Sequence, residues 1–206
     1  MTELDYNVIA TGSTGNAVRI ETIMIDCGIP FKKMREDLYK VDTLLITHTH
    51  SDHVKESTLD SIRNEFPRIR VYGNYDVAYQ YEVDTVVGTL PIKLKKNRII
   101  IPFDCFHDVP CTGFVLQIQG MNILYATDTA KIEAPKLLYD YVFLESNYDE
   151  RKLKEMAAQY KRRGYDPYTN SSVRHLSTQQ CKEFYYVNRR SKDSKLIELH
   201  QSRRFY

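Results

Sequence analysis

Thr47-His48-Thr49-His50-Ser51-Asp52-His53 is the stretch on which the reading of this chain turns. It sets four potential metal ligands within six residues, and apolar Leu44, Leu45 and Ile46 run directly into it. That pattern is a buried strand ending in a ligand-bearing loop. Alternate side chains of an extended segment point the same way, so His48 and His50 can share one cation. As the chain turns, Asp52 and His53 can reach a second. Half of the six histidines of the chain stand here. Three imidazoles and a carboxylate buried together without a cation would compete for polar partners, and each unmet group costs free energy.

Strand and helix signals alternate on both sides of this loop, which makes the chain α/β (α+β). Short strands are expected at residues 6–10, 17–20 and 22–26, with a turn cluster at Thr11-Gly12-Ser13-Thr14-Gly15-Asn16 between the first two. Gly28-Ile29-Pro30 breaks the sheet, and residues 31–39 carry a helical apolar pattern. Past the histidine loop, Ser57 or Thr58 is the expected cap of a helix running to Glu65. A hairpin is predicted around Gln119-Gly120, strands at 141–144 and 195–199, and helices at 150–163 and 177–188, the last capped by Ser177.

This frame sets further ligand types at strand ends. His107 follows an apolar strand, Asp128 follows Asn122–Tyr125, and His200 directly follows the last strand. Functional groups of sheet proteins gather on such loops. Zinc accepts imidazole nitrogen and carboxylate oxygen, and two divalent ions about 4 Å apart need a carboxylate and an anion between them. One assignment satisfies both ions. His48, His50 and His107 hold the first, Asp52, His53 and His200 the second, and Asp128 with a hydroxide lies between. Imidazole-rich ligation favours Zn over Mn.

At 206 residues the chain suits one domain, residues 1–206. No run of about 18 apolar residues occurs, so no membrane partner is expected. The stretch Met1-Thr2-Glu3-Leu4-Asp5 has no basic or apolar leader, and the expected location is the cytoplasm. Cys27, Cys105, Cys111 and Cys181 form no CxxC pair and read as reduced core thiols, although Cys105 and Cys111 flank His107. Charge is uneven. Residues 1–150 hold 15 Lys and Arg against 22 Asp and Glu, a net −7, whereas residues 151–206 hold 14 against 5, a net +9. A basic end beside an acidic body points to an anionic partner. That end interleaves Lys161, Arg162, Arg163, Arg189, Arg190, Arg203 and Arg204 with Tyr165, Tyr168, Tyr185, Tyr186, Phe205 and Tyr206, a mixture suited to phosphates and bases.

HxHxDH, a later His, an Asp after a strand and a final His, in that order, resembles the metallo-β-lactamase fold superfamily. Gly12–Asn16, Ile25-Asp26-Cys27-Gly28, Ala126-Thr127-Asp128-Thr129, Glu145-Ser146-Asn147-Tyr148-Asp149 and Arg174-His175-Leu176-Ser177 resemble its small YycJ-like branch, related to ribonuclease Z. The resemblance spans nearly the whole chain and implies a four-layered αββα sandwich with a two-metal site. It departs at Tyr148, where a His is common in the branch, and at His200-Gln201-Ser202-Arg203-Arg204, where paired asparagines are usual. It further implies a metal-dependent hydrolase that cleaves phosphodiesters by attack of a metal-bridging hydroxide, in the form of a DNA exonuclease-like nuclease. Asp52 would orient the nucleophile and His175 would stabilise the scissile phosphate or protonate the leaving oxygen; otherwise His175 caps a helix or pairs with Asp166. Ser13, Asn147 and Ser177 fall on the substrate side. The rival activities are a cyclic-nucleotide phosphodiesterase and a thioester or lactam hydrolase of the glyoxalase II type. A non-catalytic binding module ranks behind all of them, because the ligand set is complete.

Overall fold

The computed structural model describes residues 3–161 and 174–202, with residues 157–161 as backbone alone. Two compact units divide it, residues 1–88 and 89–206, and each carries one six-stranded mixed sheet. The α/β class read from the sequence is the class observed. Lys161 (as a side chain), Arg162, Arg163, Tyr165, Asp166, Tyr168, Arg203, Arg204, Phe205 and Tyr206, named above, lie outside the described residues, as does the loop after residue 163.

The first unit opens with an antiparallel meander of β1 (Tyr6–Ala10), β2 (Ala17–Ile20) and β3 (Ile23–Ile25). It continues in parallel through β4 (Thr43–Ile46), β5 (Arg70–Gly73) and β6 (Thr85–Val86). Parallel strands need crossovers, and α1 (Phe31–Leu38), α2 (Glu56–Glu65) and α3 (Tyr75–Gln80) supply them. Met34 and Leu38 of α1 and Leu59 and Ile62 of α2 pack with Met24, Leu44, Ile46 and Val71 of the sheet. Each such side chain contributes about 1.5–3 kcal/mol by leaving water. Because β3, β4 and β5 run in parallel, their carboxyl ends share one sheet edge, and Asp26, His48 and Asn74 leave from it.

The helix after the histidine loop corrects one expectation. It starts at Glu56 with Lys55 at the cap position and no side-chain cap bond. Thr58 lies inside the helix, where its hydroxyl donates to the Ile29 carbonyl at 2.8 Å. That tertiary bond holds α2 against the loop entering α1.

The second unit orders its strands β12-β11-β10-β9-β8-β7. These are β7 (Ile92–Lys93), β8 (Ile99–Cys105), β9 (Cys111–Ile118), β10 (Met121–Ala126), β11 (Tyr141–Glu145) and β12 (Lys195–Leu199). The expected hairpin joins β9 to β10 through Gln119 and Gly120, both at positive φ (52° and 78°), as a tight two-residue turn requires. β10, β11 and β12 are parallel, and β11 is buried throughout, the mark of a strand covered on both faces. The helices are α4 (Glu150–Lys161) and α5 (Thr178–Asn188). Cys181 and Tyr185 of α5 pack on Leu124, Val142 and Leu144. β8 and β10 both run antiparallel to β9, so four strands deliver His107, Asp128, Glu145 and His200 from one edge. Among the described residues no helix is long and apolar enough to cross a membrane.

Candidate metal centre

In the first unit, His48 and His53 are fully buried, while His50 and Asp52 are half-buried. The backbone N–H groups of His53 and Val54 both donate to the His50 carbonyl, closing the turn that follows the strand. His48 Nε2 stands 3.2 Å from His50 Nδ1. Two nitrogens bound to one tetrahedral zinc, each at about 2.0–2.1 Å, lie roughly 3.3 Å apart, so this pair fits a shared ion. His53 Nε2 and Asp52 Oδ2 are 3.8 Å apart.

Three segments clamp this loop from below. Asp26, also fully buried, accepts His53 Nδ1 at 2.7 Å and both the N–H and the hydroxyl of Thr47. The tautomer follows: with its proton on Nδ1, His53 presents a lone pair on Nε2. That lone pair receives the Asn16 amide at 2.9 Å, a place a cation would take. Full burial pushes the Asp26 carboxyl up, against the pull of His53 and Thr47. Asn16 N–H donates to the Asp52 carbonyl and Cys27 N–H to that of His53. Gly28 makes the close approach possible, since a Cβ there would lie 1.7 Å from the Asp52 carbonyl oxygen. The Gly12–Asn16 turn therefore supports the ligand loop and leaves Ser13 exposed at its tip.

In the second unit, ligand atoms of Asp128, Glu145, His175 and His200 lie within 4.8 Å of one another. Glu145 organises the group. Its Oε1 accepts His175 Nδ1 at 2.6 Å and His200 Nδ1 at 2.8 Å, and its Oε2 accepts the Thr129 N–H at 2.9 Å. Burial alone would raise this carboxyl; the His175 charge and the hydrogen bonds from His175 and His200 outweigh it and hold it below the ordinary carboxylate range. His175 is correspondingly raised: its burial favours the neutral ring, but Glu145 and then Asp128 favour the charged one. His175 thus pairs with Glu145. His200 and Asp128 both adopt positive φ, 54° and 55°, which turns each side chain sharply off its strand end. His107 Nε2 lies 3.1 Å from Asp108 Oδ1, and its ring is 6.0 Å from that of His175.

Two residues expected on the substrate side have other partners. Asn147 Nδ2 donates to the His200 carbonyl at 2.9 Å and so fixes that loop. Ser177 is fully buried; its hydroxyl accepts the Gln180 N–H in a capping box and donates to Glu150. Tyr148 packs in a small apolar cluster with Leu153. All four cysteines are buried free thiols, and none joins a group of potential metal ligands among the described residues. Asp26 and Glu145, each at the end of an apolar run, stand in stretches that carry the resemblance, but neither was expected to hold a histidine. An acid ending a fully apolar run is the signal that marks both.

The donor sets are those of divalent-metal sites, imidazole nitrogen with carboxylate oxygen. The fold that delivers them from sheet edges is the metallo-β-lactamase fold. The described chain overlays YhfI from Bacillus subtilis, a metallo-β-lactamase fold protein, with a TM-score of 0.71 at 15% identity over 96% of this chain and 86% of that one. It overlays the short form of human tRNase Z at 0.68 and 17% identity, over 97% and 93%, and a diphosphatase of the PhnP family at 0.68 and 18% identity, over 97% and 87%. In sequence it is similar to the YycJ branch. It is 32% identical over 122 residues to exodeoxyribonuclease YycJ of Bacillus anthracis, a match covering 54% of this chain and 44% of that protein. Exodeoxyribonuclease WalJ of Streptococcus pneumoniae is 37% identical over 60 residues, 24% of this chain and 22% of that one. The matched region is thus less than half the length of either curated relative. No protein-family profile matches the chain.

Proposed function

We propose that this chain is a metal-dependent phosphodiesterase, and specifically a nuclease acting on DNA ends or single strands. The observation that carries the reading is a repeated arrangement: Asp26 fixes His53 through Nδ1, and Glu145 fixes His200 in the same way. A buried carboxylate on one ring nitrogen leaves the other as a basic, oriented metal ligand. The relatives of similar sequence are exodeoxyribonucleases, which supports DNA as the substrate.

We assign His48, His50 and His107 to one ion, Asp52, His53 and His200 to a second, and Asp128 between them, with residues 1–206 acting as a single domain. Zinc suits this imidazole-rich set, and the cytoplasm suits the four free thiols. Two divalent ions there would polarise the phosphoryl oxygens and acidify a water. Asp52 accepts a hydrogen bond from the attacking water and orients it. His175, held through Nδ1 by Glu145, presents its remaining N–H to the leaving oxygen. Asn147 acts through His200 as a positioning residue. Ser13, exposed at its turn, contacts substrate, whereas Ser177 serves its helix cap.

The test is a substrate panel on the metal-reconstituted chain: bis-p-nitrophenyl phosphate, single- and double-stranded DNA, RNA, cyclic nucleotides and a glutathione thioester. DNA and the simple diester should be cleaved, with loss of activity in a chelator. Thioester turnover without any diester turnover would sink the proposal.

A further inference from the structure

The C-terminal end of α5 brings cations and exposed aromatic surface together, at the opposite end of that helix from Ser177 and His175. Tyr186 is 62% exposed and Val187 72%. The Arg189 guanidinium lies 4.9 Å from the Tyr186 ring centroid and 5.9 Å from that of Tyr185, so rings rather than a carboxylate receive it. Arg190, Lys192 and Lys195 follow, all exposed. Asp140 pairs with Arg190 at 3.1 Å, but residues 182–195 hold five Lys and Arg against two Asp and Glu. The surrounding unit shares this sign. Residues 89–206 hold 20 Lys and Arg against 13 Asp and Glu, a net +7, while residues 1–88 hold 9 against 14, a net −5.

We propose that this surface docks single-stranded nucleic acid. The inference rests on the nuclease reading and deepens it by naming the form of the strand and where it is gripped. Cations near a phosphodiester backbone release condensed counterions, which favours any nucleic acid. Tyr186 adds the preference for a single strand. Arg189 covers one face of its ring, and the exposed remainder can stack only on a base that is not already paired and stacked within a duplex. An arginine at a helix C-terminus also complements the helix dipole, but that role requires neither an exposed tyrosine beside it nor the cations that follow.

The position sets a length. Arg189 bridges Tyr139, just before β11, whereas Glu145 closes that strand six residues later. At about 3.3 Å per residue the separation is roughly 20 Å. A stacked strand rising about 3.4 Å per nucleotide needs about six nucleotides to reach from one to the other. Strands of that length or more can use both places, and shorter ones cannot.

The experiment is fluorescence anisotropy of the metal-loaded chain with fluorescein-labelled phosphorothioate oligothymidylates of 3, 6, 12 and 20 nucleotides and a 12-base-pair duplex. Hydrolysis of bis-p-nitrophenyl phosphate is followed in parallel. The double variant Tyr186→Ala/Arg189→Ala should raise the Kd for the 12-mer at least tenfold and that for the 3-mer, which cannot span both places, by less. Tyr186→Phe should stay within twofold of the parent, because stacking needs only the ring. Lys192→Gln should reduce the slope of log Kd against log salt by about one. Turnover of the small diester should not change in any of them. An unchanged 12-mer Kd in the double variant or a duplex bound as tightly as the 12-mer would overturn the docking surface, and equal losses for the 3-mer and the 12-mer would overturn the six-nucleotide span. If the chain hydrolyses no diester yet binds strands in the expected pattern, the hydrolase reading falls and the docking surface stands.

Discussion

His200 Nδ1 lies 2.8 Å from Oε1 of Glu145, a carboxylate with no solvent exposure. The bond fixes which nitrogen of His200 carries the proton and which carries the lone pair. Glu145→Gln keeps the size of the side chain and removes its charge. The expected result is a 10–100-fold loss of metal affinity, the range seen when the outer partner of a ligating histidine is removed. Competition with a chromophoric chelator measures it, and circular dichroism should show the fold retained. Metal affinity equal to that of the parent would remove Glu145 from the centre.

Gly28 is the contact on which the ligand loop rests. A Cβ at this position would lie 1.7 Å from the Asp52 carbonyl oxygen and 2.6 Å from the His53 nitrogen, both rigid backbone atoms. Gly28→Ala should therefore cost about 2–3 kcal/mol or more in urea unfolding and lower the metal content of the folded chain. Gly88→Ala, where nothing lies within 4 Å of an added Cβ, is the matched control and should change stability by less than about 0.5 kcal/mol.

Acid stability has a separate and local contribution from Asp84. Desolvation raises its carboxyl, but the Val71 N–H at 2.8 Å and the Arg70 guanidinium lower it further, leaving it below its ordinary value. The folded state thus prefers the charged form. Its contribution is complete above the carboxylate range of the unfolded chain, near pH 4, and is lost as pH falls through the lower folded value. Because the pair is partly exposed, the contribution is less than about 1 kcal/mol. Asp84→Asn should flatten the stability profile between about pH 5 and pH 2 and leave the slope above pH 6 unchanged, as followed by urea midpoints.

The thiols offer a test of packing. Burial, followed by neighbouring carboxylates, pushes Cys27 and Cys181 up to about 12. Almost no thiolate is present at pH 8, and the thiolate is the nucleophile. Native protein treated with iodoacetamide at pH 8 should leave both residues unmodified, while protein in urea is alkylated at all four cysteines; peptide mass mapping resolves each site. Rapid labelling of Cys181 in the native state would mean that α5 does not cover the sheet.

How much of this could be read in advance follows from chain distance. His48, His50, Asp52 and His53 are contiguous, and a period-2 argument on one strand suffices to group them. His107, Asp128 and His200 were legible as strand ends, but their joint placement depends on strand order, which no local pattern encodes. The pairing of Asp26 and Glu145 with histidines was missed because their partners lie 27 and 55 residues away. The sharp turns at Asp128 and His200 were hidden for a related reason: positive φ at a non-glycine residue is imposed by the surrounding fold and leaves no mark in composition. Thr58 misled as a cap because a tertiary acceptor, the Ile29 carbonyl, claimed its hydroxyl.

The general-acid role proposed for His175 can be tested apart from metal binding. Its Nδ1 is engaged by Glu145 at 2.6 Å, and the charge of Glu145 keeps the ring more basic than an ordinary histidine. A proton donor matters in proportion to how badly the leaving group needs the proton. An alkoxide leaving from DNA needs it; p-nitrophenolate does not. His175→Ala should therefore reduce turnover of single-stranded DNA by about 10²–10⁴-fold and that of bis-p-nitrophenyl phosphate by much less. Metal content should remain at the level of the parent, which distinguishes a lost acid from a collapsed site. Equal losses on both substrates with metal retained would exclude His175 as the general acid.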